Sequence, residues 1–365
     1  MSQRYLLVCL ALALLPHASA EAQELAPLPT TIPANDSHIR YVGRFAEDST
    51  GPRCAWPASM IEIKFEGTDL QVRFNEKGKD FWQVMVDGQP GEVLELKPGP
   101  NLYSAASGLP NKEHTVQLIK RTEFYQGTTQ FLGLQANEGA RLLPVPVPAR
   151  KLEVIGDSIS CGYGNEAAGK NEHFRPATEN SCLAYGAVAA RALGADYVCI
   201  ACSGRKLWLD NQSLLPLYDA ILPVDPTCPK WDFSSWIPDV VVINLATNDF
   251  RKENPDEARW IQIYLDFVKR IRTQYPNAHI YCMVGPMLSD WPTDRKPLTT
   301  VRGYFAKIME ELKSDTKVHY FDVGPQDFVA NGLGADWHPS AKTQKIVGDK
   351  LSAAIIADGL GTNPH

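Results

Sequence analysis

The chain has 365 residues, 44% of them hydrophobic and 21% charged, and a formal net charge of −6. That composition gives one large globular domain or two smaller ones. The charge is spread along the chain without a basic block, so nucleic acid is excluded as an expected partner, and an acidic surface gives no reason to expect binding to anionic lipid.

The first twenty residues read as an export signal. Arg4 supplies a positive start, Tyr5 to Leu15 an apolar run too short to span a bilayer, and Ala18-Ser19-Ala20 a small-residue cleavage site. With cleavage after Ala20 the mature chain is expected in a periplasmic or extracellular space, off the membrane. Of the 8 cysteines, Cys9 leaves with the signal, and the odd remainder leaves at least one thiol unpaired within a monomer. Residues 21–37 form a Pro-rich, loose leader.

Residues 38–142 read as short strands. Met60 to Phe65 and Leu70 to Phe74 alternate apolar and polar side chains, and Trp82 to Val86, Val93 to Leu96, Thr115 to Ile119 and Phe131 to Leu134 follow the same period. Turn signals such as Asp87-Gly88 separate them, and no helical stretch intervenes, which predicts a β-sandwich. Residues 143–149, with Pro144, Pro146 and Pro148, form a stiff connector.

Residues 150–358 change rhythm. Apolar strands at Leu152 to Ile155, Tyr197 to Cys202, Val240 to Leu245, Ile280 to Val284 and Val318 to Val323 alternate with helical patterns at Cys182 to Leu193, Pro255 to Tyr275, Leu298 to Leu312 and Ser340 to Ala357. Continuous apolar strands between helices predict an α/β domain of three layers, a parallel sheet covered on both faces. Such sheets bind ligands beyond the carboxyl ends of their strands.

Four blocks lie there. Strand one runs into Gly156-Asp157-Ser158, strand two into Cys202-Ser203-Gly204, strand three into Ala246-Thr247-Asn248-Asp249, and the last strand and loop into Asp336-Trp337-His338. A serine is a weak nucleophile until a nearby base takes its proton, and histidine suits that task at neutral pH. A tetrahedral intermediate needs preorganised donors, which the backbone N–H groups of Ser158 and Gly204 and the Asn248 amide would supply. Read singly, Ser158 is better taken as a helix N-cap, and Asn248-Asp249 before a helix is likewise a common capping signature. Cys199 and Cys202 sit on a buried strand without companion ligands, so no metal site is expected.

The four blocks in this order resemble the SGNH, or GDSL-type, hydrolases. The front half narrows the resemblance. His38-Ile39-Arg40-Tyr41-Val42-Gly43-Arg44-Phe45, Trp56-Pro57-Ala58-Ser59 and Asp336-Trp337-His338-Pro339-Ser340 resemble carbohydrate esterase family 2. That resemblance implies a small jelly-roll sandwich ahead of an SGNH domain. It also implies a serine esterase that removes O-acetyl groups from polysaccharides such as xylan and mannan without a cofactor; the exported chain is expected to act as a monomer. Ser158 would be the nucleophile, His338 the base, and Gly204 and Asn248 oxyanion donors. Asp336 stands two residues before the histidine where the general pattern has an aspartate three before. It is expected to orient the ring, a backbone carbonyl being the alternative. Ala246 stands where glycine is common and would be strained if φ there were positive. Tyr163, Trp208 and Trp337 fall near strand ends and could stack on sugar rings. An esterase for small or lipid esters and a binding protein with a decayed site are the competing readings.

Overall fold

The computed structural model describes residues 25–360, so the export signal lies outside the described residues. Twelve strands come first. They are β1 (Thr30–Ile32), β2 (Arg40–Val42), β3 (Phe45–Ala46), β4 (Arg53–Cys54), β5 (Met60–Gly67), β6 (Leu70–Gly78), β7 (Phe81–Val86), β8 (Gln89–Glu95), β9 (Gly99–Ala106), β10 (Lys112–Lys120), β11 (Gly127–Ala136) and β12 (Arg141–Leu143). One antiparallel sheet runs β3-β4-β11-β6-β9 with β1 added on β11; the other runs β12-β5-β10-β7-β8 with β2 added on β5. The alternation fixes which side chains face inward. Ile61, Ile63 and Phe65 of β5 are fully buried, and Ile63 and Ile61 sit opposite Val116 and Leu118 of β10. These cross-strand apolar pairs meet Phe74, Trp82 and Phe131 in the sandwich core. Thr30–Ile32, inside the stretch read as a loose leader, pairs with Leu134–Ala136 of β11. Prolines on either side keep this strand short.

The parallel sheet follows: β13 (Arg150–Gly156), β14 (Ala195–Ala201), β15 (Val240–Asn244), β16 (His279–Val284) and β17 (Val318–Asp322), in the order β14-β13-β15-β16-β17. The helices are α1 (Ser158–Cys161), α2 (Tyr185–Leu193), α3 (Glu257–Gln274), α4 (Pro297–Glu311), α5 (Phe328–Asn331) and α6 (Ala341–Ile355). Leu152, Val154, Val242 and Met283 pack with residues of α2 and α6. Ile155, Ile200, Val241 and Ile243 pack with residues of α3 and α4 on the other face. Both faces are covered, which is why the central strands are mostly apolar. The strand order reverses at β13, whose neighbours β14 and β15 leave its carboxyl end on opposite sides, and this opens a crevice there.

The two domains share buried surface. Trp56 and Phe124 of the sandwich belong to the same core as Ile200 and Ile243. Arg40 bonds both Glu62 of its own domain and Asp196 of β14. Fully buried Arg44 donates to the carbonyls of Tyr218 and Ala220 and lies near Glu153 of β13.

Candidate active site

The nucleophile candidate is set by a short helix that starts where β13 ends. Asp157 caps α1, its carboxylate accepting the Ile159 N–H at 3.0 Å, so Ser158 is the first helical residue. The capping role that the sequence offered for Ser158 thus falls to Asp157. Burial pushes the Asp157 carboxyl up to about 7. Gly162 closes the turn at φ +78, and a Cβ there would meet the Asn180 carbonyl at 2.4 Å. From the far side, Gln344 of α6 donates to the Ile159 carbonyl and accepts from Tyr185 N–H.

His338 reaches the serine from the loop before α6. Its Nε2 lies 2.9 Å from Ser158 Oγ and its Nδ1 3.1 Å from the Ala335 carbonyl. A carbonyl can only accept, so Nδ1 carries the hydrogen and Nε2 is left free to take the serine proton. Burial lowers the His338 pKa to about 4, with Arg251 acting in the same direction, so the ring is neutral at neutral pH. The loop is anchored on the nucleophile block, since Ala335 N–H donates to the Gly164 carbonyl at 2.9 Å.

The Asp336 side chain, expected to orient the ring, makes no hydrogen bond to His338. Its carboxylate accepts from Tyr163 Oη–H at 3.0 Å, from Phe174 N–H at 3.0 Å and from His173 Nδ1 at 2.9 Å. Asp336 and Trp337 have positive φ of 49° and 69°. This left-handed turn carries the Asp336 side chain to Tyr163 and Phe174 while the preceding carbonyl meets the imidazole. The bonds from His173 and the other donors hold the carboxyl below its ordinary range.

The other two blocks close the crevice. Gly204 has φ +76, the left-handed conformation that favours glycine. Neither its N–H nor that of Ser158 meets an acceptor among the described residues. Asn248 Nδ2 donates to the Arg205 carbonyl at 2.8 Å and lies 3.4 Å from Asp157 Oδ2. Asp249, its carboxyl pushed up to about 6 by burial, accepts from Leu207 N–H, Trp208 N–H and Trp260 Nε1–H. It therefore ties the loop after β15 to the loop after β14. Ala246 is buried and is not among the residues with positive φ, so its Cβ carries no strain.

A cleft of about 660 Å³ is lined by Ser158, Gly204, Asn248 and His338 together. Tyr163 lines it too, its ring 4.1 Å from that of His338. Trp208 and Trp337 do not line it. Trp208 borders a separate hollow with Asp249 and lies under Arg259, and Trp337 is 53% exposed beneath Lys170. Arg251, Met287 and Trp291 line the cleft and were not singled out from the sequence; Trp291 is 78% exposed. The loop after β16 was the one strand end left unread, and the rule that located the other blocks would have found Trp291.

All seven cysteines of the described residues are free, and Cys199 and Cys202 are buried. Among the described residues, the ligand-type atoms of Glu123, Cys161 and Glu179 lie within 4.8 Å of one another, behind the nucleophile turn.

Residues 41–146 match the carbohydrate esterase 2 N-terminal domain, and residues 154–346 match the GDSL-like lipase/acylhydrolase family. The chain is 38% identical over 326 residues to the cellulase/esterase CelE of Acetivibrio thermocellus, covering 87% of this chain but 39% of that protein. It is 30% identical to an acetylxylan esterase / glucomannan deacetylase of Cellvibrio japonicus, covering 81% of this chain and 83% of that one. A family two carbohydrate esterase from Clostridium thermocellum, solved in complex with cellohexaose, superposes with a TM-score of 0.83 at 37% identity, over 88% of this chain and 99% of that one. With both domains matched and the serine and histidine blocks meeting in one cleft, the chain belongs to the GDSL-like lipase/acylhydrolase family and, within it, to the carbohydrate esterases of family 2.

Proposed function

We propose that this protein is an exported serine esterase that removes O-acetyl groups from plant-type polysaccharides such as xylan and glucomannan. The observation that carries the reading is the 2.9 Å contact between Ser158 Oγ and His338 Nε2 at the floor of an open cleft. The relatives named above supply the substrate class. An exposed Trp291 at the rim offers a flat apolar face for a sugar ring, while polar Thr247, Arg251 and Ser289 interrupt the apolar surface that a long acyl chain would need. Among the described residues no helix is long and apolar enough to cross a membrane.

The chemistry runs in two steps. His338 Nε2 takes the Ser158 proton as Oγ attacks the acetyl carbonyl, and the Ala335 carbonyl keeps its bond to Nδ1–H throughout. The oxyanion is received by the Ser158 and Gly204 N–H groups and by the Asn248 amide hydrogen that exchanges its long 3.4 Å bond to Asp157 for the oxyanion, each such donor being worth about 10²–10³ in turnover. His338 returns the proton to the departing sugar hydroxyl, and water, activated by the same nitrogen, releases acetate from Ser158.

The test is acetate release from acetylated xylan and acetylated glucomannan by the mature protein and by Ser158→Ala. Release lost in the variant supports the reading. Cleavage of a small acetyl ester with neither polymer touched would sink the polysaccharide substrate and leave the serine chemistry.

A further inference from the structure

We propose that the β-sandwich sets the oxyanion hole of the neighbouring domain, with Glu123 as the positioning residue. The inference rests on the reading of Gly204 as an oxyanion donor. Glu123 follows β10 in a segment that leaves the sandwich and enters the domain interface. It is 2% exposed, and its Oε2 accepts the Ser203 N–H at 2.6 Å. Ser203 immediately precedes Gly204, so this bond fixes the peptide on one side of the donor.

Two residues further on, the sandwich grips the other side of the same turn. The Tyr125 hydroxyl receives Arg205 Nη2, and the Arg205 guanidinium lies 5.6 Å from the Tyr125 ring centre. The Arg205 carbonyl in turn accepts Asn248 Nδ2 at 2.8 Å. Two of the three oxyanion donors therefore hang on one turn, Ser203-Gly204-Arg205, held from both ends by one sandwich segment. The turn's own backbone gives it little else, a 3.2 Å bond from Arg205 N–H to the Cys202 carbonyl and a 3.4 Å bond from Cys202 N–H to that of Gly156. At Gly204 the ideal Cβ position has nothing within 4 Å, so nothing packs where a side chain would stand.

The acceptor is itself braced. Glu123 N–H donates to Glu179 Oε2 at 3.1 Å, and the Lys120 ammonium lies 3.4 Å from the Glu123 carbonyl. Burial and the nearby Glu123 charge push the Glu179 carboxyl well above its ordinary range. The Glu123 side-chain oxygen is the acceptor that meets the Ser203 N–H. A side chain of this length lets the acceptor cross from one domain to a loop of the other.

The experiment compares the mature full chain with Glu123→Ala, Glu123→Asp, Glu123→Gln and Ser158→Ala. It reads kcat and KM on p-nitrophenyl acetate, the inhibition constant of a small alkylboronic acid, and Tm. The boronate forms a tetrahedral adduct on Ser158 Oγ that places oxygen in the hole. Glu123→Ala is expected to lose about 30–100-fold in kcat, somewhat less than outright removal of a donor, with KM within about 3-fold. Boronate affinity should fall in parallel. Glu123→Gln keeps an acceptor oxygen at the same reach and should recover kcat to within about 5-fold of the parent, while Glu123→Asp keeps the charge, retracts the acceptor and should not. If the alanine variant does not fold, the aspartate and glutamine pair carries the comparison. A lower Tm with kcat and boronate affinity unchanged would reduce Glu123 to a structural residue and overturn the proposal, as would a glutamine variant as impaired as the aspartate one. Failure of the esterase reading is a separate result, in which the parent cleaves no ester or Ser158→Ala matches it.

Discussion

Replacing Asp336 by Asn separates two ways of orienting His338. The Asp336 carboxylate has three donors, Tyr163 Oη–H and Phe174 N–H on Oδ2 and His173 Nδ1 on Oδ1, and none of them is the imidazole. An asparagine that turns its oxygen toward Tyr163 and Phe174 keeps both of those bonds. What it loses is the contact to His173, whose side chain is 93% exposed, and an exposed pair of this kind contributes about 0–1 kcal/mol. Turnover should therefore stay within about 5-fold of the parent, since about 1.4 kcal/mol is needed for each factor of ten. Loss of a carboxylate that truly orients a catalytic histidine costs about 10⁴, or roughly 5.5 kcal/mol, because the ring then takes the wrong tautomer. Here the Ala335 carbonyl sets the tautomer and is untouched. The Asp336 charge also favours the His338 imidazolium, so the variant should move the acid limb of kcat/KM to lower pH. Steady-state kinetics on an acetyl ester across the pH range reads both effects. A loss of about 10³ or more with the fold intact, beyond anything the His173 contact can supply, would refute the carbonyl-oriented dyad.

Three further outcomes follow from the same geometry. The acid limb of kcat/KM should fall near the His338 pKa of about 4, because activity needs the neutral ring and is lost as pH drops through that value; a limb at or above the ordinary histidine value of 6.5 would contradict it. Asn248→Ala removes the side-chain oxyanion donor and should cost about 10²–10³ in kcat with little change in KM, measured on the same ester. Gly164→Ala would place a Cβ 2.3 Å from the Ala335 Cβ at a residue with φ +52, so it should displace the histidine loop and lower kcat by more than about 10-fold while leaving the sandwich intact by circular dichroism.

The architecture was largely legible because its patterns are local. The period-2 runs of β5, β6 and β10 and the continuous apolar strands of the parallel sheet each carry their own signal, as do the amphipathic stretches of α3 and α4. What escaped was structure whose support comes from elsewhere. β1 and β2 are three residues each and exist because β11 and β5 offer them an edge. The sequence expected a helix from Cys182, but a short turn of 3₁₀ helix over Ser181–Leu183 precedes α2, with Asn180 capping it through the Cys182 N–H. Asparagine is a good cap, and here it caps the shorter element.

The site divides along the same line. Ser158, Gly204 and Asn248 could be placed in one cleft because each stands just past a strand end that the sheet topology brings to one crevice, and His338 because its block stands just before the last helix. Asp336 misled because spacing to the histidine was used as a proxy for direction. Two consecutive positive φ angles, at Asp336 and Trp337, turn that carboxylate to Tyr163 and leave the imidazole to a backbone carbonyl. Any residue carries a backbone carbonyl, so no sequence motif can mark this acceptor. Glu123 is the opposite case, a side chain whose partner lies 80 residues away in the other domain. Read alone, it is one more acid in a strand-rich stretch. Its place beside Ser203 exists only once Trp56 and Phe124 have docked the sandwich into the core beneath β14 and β15. If Glu123 sets the Ser203-Gly204 turn as proposed, the catalytic geometry should be lost when the two domains are separated, even with every residue of the serine and histidine blocks intact, which ester hydrolysis by residues 150–360 alone would contradict.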